Sequence, residues 1–172
     1  MESSWQLATS HLNLADAFLH SGRAEAAIAG FRQALRLYQE LGDDIFAARV
    51  INHTAHAALA GNDIAHAARL ASDALTSFAE QGERQGIAEA LDTMAAVAAA
   101  RSNADRAATI AGAAEAIRET MASRTAPFDV AITGPLLQRI KATVSEERGH
   151  HCGQGQALGP AEAVAYALSS VR

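Results

Sequence analysis

Histidine, cysteine and carboxylate side chains are the groups through which this sequence would do chemistry, and they gather in three places. His53 and His56 stand three residues apart, a spacing that puts two imidazoles on one helix face, where they could hold a metal ion. Nothing supplies further ligands at a fixed spacing, so the pair reads better as one histidine in a seam between helices and one in a groove. His150-His151-Cys152 is a second cluster, but adjacent residues rarely aim all their side chains at one ion. Cys152 is the only cysteine, which excludes an intramolecular disulfide and a cysteine-rich zinc module. It lacks a local activating motif and reads as a plain thiol. The third group is acidic: Asp43-Asp44, Glu83 and Glu115. The first three stand where helices begin and balance the positive end of the helix dipole. No Ser/His/Asp arrangement and no Gly-x-x-x-x-Gly-Lys-Ser/Thr loop can be traced. We therefore assign no catalytic, cofactor-binding or metal-ligating residue, and expect no enzyme.

The elements that must position these residues follow from composition. Alanine, the best helix former, makes up about a quarter of the 172 residues, while aromatic residues make up 5%. A sheet needs β-branched and aromatic residues to cover its faces, so all-β and α/β folds are disfavoured. The apolar fraction is too high, and the net charge of −5 too small, for a disordered chain. That charge gives no general attraction to nucleic acid. Arginine dominates over lysine, of which Lys141 is the single example, and with the alanine this points to a GC-rich genome. The Met1–Trp5 stretch has no basic or apolar region of a signal peptide. The run Met94 to Ala100 is far short of the ~18 residues that span a bilayer. A cytoplasmic helical protein is the expectation.

Sliding the chain against itself by 40 residues brings Ala15, Ala55 and Ala95 into coincidence, then Ala27, Ala67 and Ala107, then Ala34, Ala74 and Ala114. Leu19 falls with Leu59, Leu35 with Leu75, Tyr38 with Phe78, and Gly42 with Gly82. Glu115 takes the position of Leu75, so the last unit turns that face to solvent or to a C-terminal helix. Each unit reads as two helices: 4–20 and 24–41, 44–60 and 64–81, 84–101 and 104–122. Asp43, Asn62 or Asp63, Glu83, and Ser102-Asn103 are the expected caps. Connections this short force antiparallel neighbours, and the aligned alanines let paired helices approach closely. All three prolines lie after residue 126, where the repeat fades. Residues 1–122 are thus three hairpin repeats and 123–172 a set of C-terminal capping helices. In that region 126–128 is a loop, 135–147 the stronger helix, 149–155 irregular, and 161–168 a short helix opened by Gly159-Pro160.

Unit one carries tetratricopeptide spacing: Ala15, Gly22 in the turn, then Ala27, Phe31 and Ala34. Units two and three replace the turn glycine with Asn62 and Ser102. The fold expected is all-α, a tetratricopeptide-like superhelical stack of three antiparallel hairpins plus C-terminal helices. Asp105-Arg106-Ala107-Ala108, Gly112 to Glu119, Gly155 to Leu158 and Ala161 to Leu168 resemble the C-terminal tetratricopeptide-like region of actinobacterial multidomain regulators. Those proteins join a signal-transduction ATPase to such an array, often with a LuxR-type DNA-binding domain or a nucleotide cyclase domain. The family has aromatics at the positions of Arg148 and Cys152, and their absence implies that the helix there is lost.

The resemblance implies a transcriptional-regulator sensor or protein-interaction array with no cofactor and no direct contact with nucleic acid or membrane. In stacked hairpins the first helix of each unit lines the concave face. Carried over residue by residue, that face takes Leu12, Asp16 and His20 from unit one, Arg49, Asn52 and His56 from unit two, and Glu89 and Asp92 from unit three. Its expected partner is a protein or peptide, including an ATPase module of the same regulator. The groove has two other readings, filling by the protein's own C-terminal helix and plain solvation. The chain has rival functions too: a self-associating module that sets oligomeric state through its uncapped Trp5 end, or a small-molecule sensor array.

Overall fold

Each turn among the first six helices uses one local solution. Residues 22, 42, 62, 82 and 102 all have left-handed backbone, with φ between 60° and 76°. The residue after each donates its N–H back to the carbonyl of Phe18, Tyr38, Ala58, Phe78 or Ala98, at 2.9 Å in all five cases. These bonds satisfy carbonyls left open at a helix end. Glycine adopts that backbone without strain at three of the positions. Asn62 is a tolerated substitute, and Ser102 is the costlier one. The turns recur every 20 residues, half the period visible in the side chains.

The computed structural model describes residues 2–121 and 146–169. Among them the chain is all-α: α1 Glu2–His20, α2 Ala24–Leu41, α3 Asp44–Ala60, α4 Ile64–Glu80, α5 Arg84–Ala100, α6 Ala104–Thr120, α7 Glu146–Gln156 and α8 Pro160–Leu168. The expected loop at 126–128 and residues 135–145 of the expected helix lie outside the described residues. By its contacts the chain divides into residues 1–77 and 78–172, with the boundary inside α4. The third hairpin therefore groups with the C-terminal helices.

The caps are those the sequence indicates. Asp43 accepts the N–H of Phe46 at 3.1 Å, Asp63 that of His66 at 3.0 Å, and Asn103 that of Arg106 at 3.3 Å. Glu83 accepts from Gly86. Arg23, before α2, makes no such bond; its guanidinium instead lies 4.4 Å above the Phe18 ring.

In the first unit α2 packs between α1 and α3. Their core joins Ala8, Leu12, Ala15, Phe31, Ala34, Tyr38, Ala47 and Val50. Gly30 lets α2 close on α1, since a Cβ there would stand 2.8 Å from that of Ala15. Trp5 ties the start of α1 to the far side of α2. Its indole N–H donates to Asp43 at 3.2 Å, and its ring meets Phe46 and Tyr38 edge-on.

In the second unit α5 pairs with α6, α7 packs along α6, and α8 packs against both α5 and α6. Here the structure corrects the sequence reading: 149–155 is not irregular but lies within α7. The glycines that discourage a helix locally are what allow this one to dock. A Cβ on buried Gly155 would collide with the Thr109 carbonyl, and one on Gly112 with the Cys152 carbonyl. The two helices thus meet backbone to backbone at two points. Glu115 does face a C-terminal helix, accepting from Gln156 Nε2 at 3.4 Å. Glu162 accepts the Gly159 N–H at 2.9 Å and so opens α8.

Candidate functional site

The polar residues expected to line a concave face are mostly inside the protein. Leu12, Asp16, Asn52, His56, Glu89 and Asp92 are all buried, Arg49 is half-buried, and His20 is exposed. This corrects the picture of an open polar surface at these positions. The cause is their register: Leu12, Asn52 and Asp92 stand three residues before the buried alanines Ala15, Ala55 and Ala95, and so share the helix face along which helices come together.

Asp16 on α1 and His53 on α3 meet in the first unit. His53 Nδ1–H donates to Asp16 Oδ1 at 2.8 Å, and the two side chains are 7% and 1% exposed. The other carboxylate oxygen, Oδ2, is buried without a hydrogen bond. His53 also lies edge-on to Phe31 and stacks on His56, with ring centres 5.9 Å apart. His20 uses Nδ1–H to bond the Asp16 carbonyl oxygen at 2.8 Å, which fixes its tautomer. A carboxylate holding one imidazole nitrogen leaves the other poised as a base. Sealed from water, however, this pair ties α1 to α3, elements that otherwise touch little. The sequence reading of one seam histidine and one groove histidine thus becomes two stacked, buried rings. Among the described residues no group of three or more His, Cys, Asp or Glu side chains is placed to hold a metal ion.

Burial pushes His56 down from its ordinary 6.5 to about 3, and the neighbouring His53 adds to the shift. The unfolded chain therefore binds one more proton than the folded chain between about pH 6.5 and 3. Stability from this group is complete above the unfolded value and is lost as pH falls through that window. The loss amounts to about tenfold in the folding constant per pH unit. Urea midpoints at pH 7, 5 and 4 should fall less steeply for His56→Gln than for the parent chain.

The second unit has its own internal pair. Arg118 on α6 bonds the Asp92 carboxylate on α5, and reaches the Ala88 carbonyl at 3.3 Å. Glu89 accepts from Gln85 at 3.0 Å one turn away. Arg84 donates to Thr120 at 2.7 Å, closing the open end of this hairpin. Arg106 caps the end of α8: it bonds the Tyr166 carbonyl, reaches the Ala167 carbonyl at 3.2 Å and lies 4.6 Å above the Tyr166 ring. Sequence reasoning missed Arg106 and Arg118. Each lies on a second helix of a hairpin, whereas the concave-face candidates all lie on first helices. His150 and His151 both bond Gln154 at 3.1 Å along α7, and His151 stands 4.0 Å from Asp105.

No helix among the described residues is long and apolar enough to cross a membrane. No known family matches the chain, and no curated protein or solved structure is detectably similar to it.

Proposed function

We propose that the chain is a non-catalytic protein-interaction or sensor module of a cytoplasmic signalling or transcriptional regulator. The observation that carries this reading is the engagement of its internal charged groups with one another. Asp16 with His53, and Asp92 with Arg118, each join two helices of one unit. Such pairs brace a scaffold, and a scaffold of helix hairpins works through its faces. The tetratricopeptide-like register, and the resemblance of 105–119 and 155–168 to actinobacterial regulators, support that class. In this reading the array docks on an ATPase module and restrains it until a partner or inducer shifts the equilibrium. Of the residues carried over from the family, His20 and Arg49 reach solvent and would make the contact.

The purified chain should bind the ATPase module of a regulator of this class and slow its nucleotide hydrolysis. Calorimetry and phosphate release measure the two effects. A chain that binds no such module, and whose melting no host metabolite shifts, would end this reading.

A further inference from the structure

α1 carries a face that the other hairpins keep covered. Leu7 is 50% exposed and Leu14 52%, and Ser10 and Ala17 between and beyond them are exposed as well. Forty and eighty residues on, the counterparts of Leu7 (Ala47, Ile87), Ser10 (Val50, Ala90) and Ala17 (Ala57, Val97) are all buried, and those of Leu14 are half-buried Thr54 and buried Met94. For α3 the covering element is α2, whose Phe31, Ala34 and Tyr38 share a core with Ala47, Val50 and Ala57. The exposed face of α1 is thus, by repeat position, one that packs against a helix.

Its chemistry agrees. From Ser3 to Gly22 the only Asp, Glu, Lys or Arg is Asp16, which is fully buried. α2 by contrast exposes Glu25, Arg32, Arg36 and Glu40. Depletion of charge, with retained leucines, distinguishes the core of an interface from ordinary surface. Ser10 does not break the apolar character, because its hydroxyl donates to the Gln6 carbonyl of its own helix at 2.8 Å.

The order of side chains identifies the occupant. Along the face, large and small residues alternate: Leu7, Ser10, Leu14, Ala17. When the same helix is laid antiparallel across a two-fold axis near residue 12, Leu7 falls opposite Ala17 and Leu14 opposite Ser10, in both directions. Each leucine meets a small residue, which is the self-complementarity a two-fold contact requires. We propose that this face of α1 binds the same face of a second copy of the chain. One helix pair covers less than the roughly 1,200–2,000 Å² of a stable interface, so the dimer is weak and depends on concentration.

Sedimentation equilibrium of the full chain, from micromolar to several hundred micromolar, tests this. The average mass should rise from 17.9 kDa toward twice that value. Leu14→Lys should weaken association at least about tenfold by burying a charge. Ala17→Leu should also weaken it, because the new side chain occupies the space needed by the partner's Leu7. That second variant separates specific packing from mere stickiness, which added leucine would increase. Circular dichroism melts of both dilute variants should match the parent, since both positions are exposed. A strict monomer at every concentration overturns the proposal, and so does a dimer that either substitution leaves intact.

Discussion

Arg118→Ala should destabilise the second unit by about 3 kcal/mol, toward the lower end of the range for breaking a buried ion pair. Asp92 is 3% exposed, and its Oδ1 already lacks a hydrogen bond. Without Arg118 the carboxylate keeps the cost of leaving water and loses the charge that offsets it. Water screens part of the effect, because the Arg118 side chain is 20% exposed. The Ala88 carbonyl loses a donor in the same step. For a domain of this size the melting temperature should fall roughly 6–12 °C. Removing both members together, as Asp92→Leu with Arg118→Leu, should recover most of that loss. A double variant no more stable than Arg118→Ala would show that the pair's charge is not what matters.

Gly155→Val should lift α7 from α6, for a different reason. Overpacking costs about 1–3 kcal/mol when neighbouring side chains can adjust. Here the neighbour is the Thr109 carbonyl inside a hydrogen-bonded helix, which cannot yield, so the cost should reach the top of that range. Gly153, two residues earlier, is exposed and has open space where a Cβ would go. Gly153→Ala should therefore stabilise the chain by about 0.5–1 kcal/mol through helix propensity alone. Opposite signs from neighbouring glycines in one helix, read by thermal unfolding, are the expected result. Cys152 adds a second readout: its half-buried thiol should react faster with a disulfide reagent in Gly155→Val than in the parent chain.

The hairpins were legible because their determinants are local. Turn residues, caps and aligned alanines each act within a few positions, and they place helices 24–41 and 44–60 at the bounds observed. The 149–155 segment was not legible, because its helix depends on α6. Glycine lowers helix propensity wherever it occurs, and only the facing backbone of Thr109 and Ala113 turns that loss into a gain. The polar candidates failed in the same way. Asp16 and Asp92 stand on the right helices, but the sequence does not record that His53 and Arg118 close over them. Charged residues at such positions look alike whether they face water or one another.

The even spacing of the five left-handed turns also limits how such a gene can change length. Inserting one helix with its turn would keep each cap and turn in phase, yet reverse the running direction of everything downstream. Helices that begin a hairpin would then have to end one. An inserted pair of helices restores direction and role together, so forty residues, not twenty, is the smallest addition or loss that leaves the remaining hairpins as they were. Single-residue insertions fare worst, since each turns the rest of its helix by about 100° and swaps its buried and exposed sides.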